Sequence, residues 1–137
     1  MTDDIISYTS VFEPSISITI VFKGNSNYKD LEPIFEKYGY GFYSPSTKSI
    51  FLDGEVFTNN DELDINDLRF VEAHEVSHLL FGHDGLHSDE DELDADLGAY
   101  ILLKKKGFST KRLEYEFLHR HGIEFNKKLL VRVKNLM

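Results

Sequence analysis

Apolar and polar residues alternate most cleanly from Ser15 to Phe22, where isoleucines stand at 16, 18 and 20. Period-two spacing of β-branched residues predicts a half-buried strand. The polar run Gly24-Asn25-Ser26-Asn27 is a turn signal. After it, Leu31, Ile34, Phe35 and Tyr38 follow helical spacing and predict a helix over Tyr28–Tyr38, with Asn25 or Ser26 as its cap and Gly39 as its stop. Tyr40–Tyr43 and Ser49–Leu52 flank Ser44-Pro45-Ser46-Thr47 as a β-hairpin would. Asp53-Gly54 marks another turn, leading to a short extended piece at Glu55–Thr58. The acidic loop Asn59–Asp64 then leads to a helix, with Asp64 or Asn66 as N-cap, Leu68, Val71, Leu79 and Phe81 on its buried side and Gly82 at its end. Ser88-Asp89-Glu90-Asp91 fits the capping-box formula and starts a helix that runs through Lys106 to Gly107. Two more helices are expected, from about Ser109 to His121 and from about Asn126, while the first dozen residues carry only weak signals. Strand, helix, hairpin and then helices make an α+β domain.

Composition narrows the class. A chain of 137 residues fits a single domain over 1–137, and 41% hydrophobic with 28% charged residues is the balance of a soluble globular protein. The absence of cysteine removes disulfides, thiol nucleophiles and thiolate metal sites from consideration. The beginning, MTDDIIS, is acidic where a signal peptide is basic, and no apolar run approaches membrane-spanning length, so the expected location is the cytoplasm. The net charge of −9 argues against general nucleic-acid binding. That charge is uneven: residues 1–103 hold 5 Lys/Arg against 21 Asp/Glu (−16), and 104–137 hold 10 against 3 (+7). A solvated helix face accounts for the basic third, and the alternative is contact with an acidic partner or with DNA.

Chemistry concentrates in His74-Glu75-Val76-Ser77-His78. Histidines four apart on a helix project from one face, so both imidazoles can reach one metal ion, and the adjacent Glu75 is placed to hold a water there. A catalytic zinc site needs a third protein ligand. Asp84, ten residues after His74, is the metzincin position, but that pattern requires glycine where Phe81 stands and a methionine turn, and the only methionines are Met1 and Met137. Glu92 lies at the start of the next helix with Asp96 one turn on, so the two share a face. In that arrangement Glu92 binds the metal and Asp96 accepts the free N–H of a ligand histidine, His74 being the expected one. The bland reading of Glu92 is a dipole-stabilising acid like Asp89, Glu90 and Asp91.

Glu92-Leu93-Asp94-Ala95-Asp96 resembles the E-x-x-A-D element of gluzincins, zincins whose third ligand is glutamate. HEVSHLLFGH followed by ELDADLGAYILL resembles the small metallopeptidases of the ImmA/IrrE family, and with the tail ILLKKKGFS it is also similar to the soluble core of HtpX and Ste24 peptidases, whose transmembrane helices have no counterpart here. The likeness covers about residues 68–108. It departs from the usual zincin helix at Glu72, a charged residue in a normally uncharged place, and no helix-turn-helix segment is evident. What the resemblance implies is a minimal gluzincin fold, one catalytic zinc ion, and an endopeptidase acting on a protein or peptide substrate, with a DNA-binding repressor as the regulatory target. It also implies a substrate lying extended along an edge strand near Ile50–Glu55.

The oxyanion formed during such a reaction needs an imidazole or phenol donor, and Tyr100, Tyr115, His119 and His121 are the candidates. His83 and His87 are expected as loop residues, with a substrate or second-metal role as the alternative. Two rivals to the peptidase are a non-catalytic module that keeps the zinc fold and a DNA-associated protein using the basic third. The intact Glu75 speaks against the first.

Overall fold

The computed structural model describes residues 5–38, 41–56, 58–59, 62–63, 65–82 and 88–121. They fall into two compact units, Met1–Leu68 and Arg69–Met137, whose boundary lies inside one helix. Together they contain four helices and a mixed four-stranded sheet, an α+β protein as the pattern predicts.

The first unit is built on that sheet, ordered β1-β2-β4-β3. Strand β2 (Ser17–Val21) pairs antiparallel with β1 (Ile5–Thr9) and parallel with β4 (Ser49–Asp53). The parallel pairing follows from the crossover through α1 (Tyr28–Tyr38) and β3 (Gly41–Ser44), which forms the expected hairpin with β4. Ile18 faces Ile50 and Ile20 faces Leu52 across the parallel pair, all four side chains essentially fully buried. On the other face Val21 and Phe51 meet Tyr28, Leu31 and Phe35 of α1, with Phe42 stacked 5.3 Å from Phe51. Gly41 is required at the edge of this packing, because a Cβ there would fall 2.6 Å from the Phe51 carbonyl oxygen. A short second hairpin joins β5 (Thr58–Asn59) and β6 (Glu62–Leu63).

Several expectations are corrected here. The weak-signal start of the chain contains β1, an edge strand in which only Ile6 and Tyr8 are partly covered, so it never shows a full apolar face. Strand β4 is an interior strand between β2 and β3, so Ile50–Glu55 is not an edge open to a substrate. Gly54–Val56 forms a 3-10 turn at the start of the expected extended piece, held by the Glu55 N–H on the Asp53 carboxylate at 3.1 Å. Thr58 lies in β5, and the expected loop Asn59–Asp64 contributes Asn59 to β5 and Glu62–Leu63 to β6. Neither Asn25 nor Ser26 caps α1. Asn27 does, its carbonyl accepting from Leu31 N–H at 3.2 Å, while the Asn25 side chain bonds the Asn27 N–H. Asn66 lies inside the next helix; Asp64, Gly39, Asp84, His83, His87 and the helix expected from Asn126 lie outside the described residues.

Asp53 is nearly buried and accepts the Tyr28 hydroxyl at 3.0 Å. Burial pushes its carboxyl above the ordinary range, against the lowering by the Glu55 N–H and Tyr28 hydroxyl, and the charges of Glu55 and Glu32 push it further up. A raised folded-state pKa makes the protonated form the stabilising one: its contribution is complete below the unfolded value near 3.8 and is lost as pH rises through the folded value. Asp53→Asn is therefore expected to gain on the wild type as pH increases above 4, measured as urea midpoints across pH 4 to 8.

Candidate metal centre

The second unit carries α2 (Ile65–Leu80, whose first turn belongs to the first unit), α3 (Asp89–Lys106) and α4 (Lys111–His121). Chain ends of these helices are specified locally. Gly82 takes the left-handed conformation after α2, with φ of 76°. Ser88 forms the capping box of α3: its hydroxyl accepts from Asp91 N–H and the Asp91 carboxylate accepts from Ser88 N–H. Gly107, also at φ 76°, ends α3, and its N–H and that of Phe108 return to Lys104 and Leu103 carbonyls. Leu97 of α3 and Phe117 of α4 are fully buried against each other, with Phe81, Leu93 and Ile101 around them.

Helix α2 is buried nearly all round. From Phe70 to His78 every residue is buried except Glu75, which is half-buried. The expected one-sided pattern of Leu68, Val71, Leu79 and Phe81 is thus incomplete, because Glu72, His74, Ser77 and His78 are inside as well. Buried polar groups of this kind need partners.

Those partners bring His74, His78, Glu92 and Asp96 together. His74 Nδ1 bonds Asp96 Oδ1 at 2.8 Å, and its Nε2 lies 2.9 Å from Glu92 Oε2. His78 Nε2 lies 3.1 Å from His74 Nε2 and 3.5 Å from Glu92 Oε1. One atom from each of His74, His78 and Glu92 sits within 4.8 Å of the other two. Ligands 2.0–2.2 Å from a tetrahedral zinc are about 3.3–3.6 Å apart, so only a small outward relaxation separates these contacts from a coordination set. The donor chemistry fits too. With its proton on Nδ1 held by Asp96, His74 offers the Nε2 lone pair, and Glu92, one-third exposed, leaves a side open to solvent.

Electrostatics at the cluster are those of a cation site. Burial by itself would strip His74 of its proton, but hydrogen bonds to Asp96 and Glu92, with the charges of Asp96 and Glu75, raise its pKa to about 10. Glu92 is held far below the usual carboxylate range: burial opposes this, and the His74 and His78 hydrogen bonds outweigh it. The His74 contribution to stability is complete below the unfolded pKa of 6.5 and lost as pH rises through about 10. The Glu92 contribution is complete above 4.5 and lost as pH falls through its depressed value. The metal-free protein is accordingly expected to draw most from this pair between pH 4.5 and 6.5. A metal ion has to displace the His74 proton, so zinc uptake should release a proton and weaken by roughly tenfold per pH unit of acidification, read by calorimetric titration in buffers of different ionisation enthalpy.

The close approach of α2 and α3 depends on Gly98. A Cβ there would lie 2.9 Å from Ser77 Oγ and 3.0 Å from Phe81 Cε2. A glycine inside a helix costs about 1 kcal/mol relative to alanine, which is the signal in the sequence that a packing demand outweighs propensity. Gly98→Val should destabilise the protein by about 1–3 kcal/mol through overpacking and should also weaken metal binding; urea unfolding and zinc titration measure the two effects.

The remaining candidates are placed as follows. Tyr100 is half-buried one turn beyond Asp96, with the Lys104 ammonium 5.9 Å from its ring centroid. Tyr115 and His119 are exposed on α4 with ring centroids 4.3 Å apart, paired with each other, and His121 is the last residue of that helix. Arg69 and Gly98 had no role in the motif, and Glu72 entered only as a departure from it; Arg69 and Glu72 form a part-buried ion pair at 2.7 Å. Among the described residues no helix is long and apolar enough to cross a membrane. Compared with known proteins, the chain matches no family model, no curated protein and no solved structure.

Proposed function

We propose that this chain is a zinc-dependent endopeptidase of gluzincin type, with His74, His78 and Glu92 as metal ligands. The observation that carries the reading is the convergence of those three donor atoms within 4.8 Å, with Asp96 fixing the His74 tautomer from behind. When bound, the zinc ion supplies a Lewis acid that polarises a carbonyl and lowers the pKa of water toward neutrality. Glu75 is the general base. It adjoins His74, it alone among residues 70–78 is not buried, and its carboxylate takes the proton of the attacking water and passes it to the leaving amine. Asp96 keeps the His74 ring oriented throughout. Tyr100, on the Glu92/Asp96 side of α3 by spacing, is the first candidate for the oxyanion donor, ahead of Tyr115, His119 and His121.

The likeness to ImmA/IrrE peptidases extends the proposal to a regulatory protein substrate of repressor type. The cysteine-free composition fits a reducing, cytoplasmic setting. Incubation of the zinc-loaded protein with a denatured protein mixture, followed by mass spectrometry of new N-termini, tests the activity. Chelator-sensitive cleavage is expected, and a cleavage pattern indifferent to chelator would refute it.

A further inference from the structure

Helix α2 carries a second charged pair that the proposed chemistry leaves unused. Glu72 is fully buried, and its Oε1 accepts a 2.7 Å hydrogen bond from Arg69 Nη1 one turn earlier. Because each helical residue turns by about 100°, Glu72 points away from the His74–His78 face. The Arg69 guanidinium lies 5.4 Å from the centroid of the Phe108 ring. Phe108 in turn is tied to the end of α3, its N–H bonding the Leu103 carbonyl at 2.9 Å. Helix α2 therefore meets the α3 segment at three levels: Arg69 with Phe108, Ser77 and Phe81 with Gly98, and the two histidines with Asp96 and Glu92.

These levels have a mechanical order. At 1.5 Å rise per residue, Glu92 is about 9 Å from Gly98 along α3, and Lys106, the last helical residue before Phe108, is about 12 Å away on the other side. Gly98 leaves no room for a Cβ against Ser77 and Phe81, and this close packing serves as the pivot. A displacement of about 1 Å at the Lys106 end then moves the Glu92 backbone by about 0.75 Å, which exceeds the roughly 0.5 Å tolerance of a working ligand set. The Glu72 carboxylate is fully buried and the Arg69 side chain partly exposed, and such a pair is a poor device for stability alone, since desolvation offsets much of its attraction. Its directional effect is to fix the Arg69 rotamer so that the guanidinium stays over Phe108.

We infer that Arg69, Glu72 and Phe108 form a positioning clamp that holds Glu92 in register with His74 and His78 by pinning the far end of α3. The inference rests on the metal-site reading above. Its test uses the full chain and two readouts other than activity: zinc affinity by competition with a chromophoric chelator, and the visible absorption of the cobalt-substituted protein, which reports ligand geometry. Phe108→Ala and Arg69→Ala should each weaken zinc binding about tenfold, comparable to loss of a group that orients a ligand, and should alter the cobalt spectrum. The double variant should be no weaker than the poorer single one, because both remove the same contact. Arg69→Lys, which retains the pairing with Glu72, should recover most of the affinity. If Arg69→Ala fails to fold because Glu72 is left buried without its cation, Phe108→Leu carries the test with a loss of several-fold. Variants that melt earlier yet keep wild-type zinc affinity and cobalt spectrum would overturn the clamp and leave a purely structural pair. A wild-type protein that takes up neither zinc nor cobalt would overturn the metal-site reading and the clamp with it.

Discussion

Glu75→Gln is expected to keep its zinc and to lose cleavage by a factor of about 10²–10⁴, the usual contribution of a positioned general base. The substitution preserves size and removes only the ability to take a proton. Glu75 is also not one of the convergent ligand atoms, which come from His74, His78 and Glu92. Its negative charge helps hold the His74 proton and attracts a metal ion as well, so the variant should bind metal at most slightly more weakly. Rate measurements on a cleaved substrate, paired with metal analysis of the same sample, separate the two effects. Retained cleavage by the zinc-loaded variant would remove Glu75 from the mechanism.

Glu92→Ala should have the opposite profile, losing metal first and activity as a consequence. Deleting a group that merely orients a ligand costs 10- to 100-fold in metal affinity, so deleting a ligand should cost more than about 100-fold. Asp96→Asn belongs to the milder class, since it disturbs the His74 tautomer without removing a donor atom. The metal-free Glu92→Ala protein should also be weaker, because His74 loses one of the two carboxylates hydrogen-bonded to it. With Glu92 one-third exposed, water compensates in part, and a loss of about 1–2 kcal/mol is reasonable, below the value for a fully buried pair. Equilibrium unfolding of the two metal-free proteins at pH 6 measures it.

The convergence of His74, His78, Glu92 and Asp96 was legible from the chain for a simple reason. Spacing of four on a helix places side chains on one face, so His74/His78 and Glu92/Asp96 each specify a pair of directions without any tertiary information. The Ser88 box, the stop at Gly107 and the hairpin around Pro45 are local signals of the same kind, and the structure has all three. What was not legible depends on distant partners. Burial over Phe70–His78, Glu75 excepted, is hidden because His74, Ser77 and His78 look like a polar face until Asp96, Glu92 and Gly98 are brought to them. The interior place of β4 is set by parallel pairing with β2 across some thirty residues, which no local pattern encodes. Edge strand β1 shows too little apolar surface to declare itself.

Zinc stoichiometry decides the central claim most directly. The purified wild-type chain, stripped with chelator and dialysed against buffered zinc, should take up one equivalent per chain by atomic absorption. His78→Ala, folded by circular dichroism and treated alongside, should take up essentially none. Zinc uptake that is absent in the wild type, or unchanged in His78→Ala, would contradict the account.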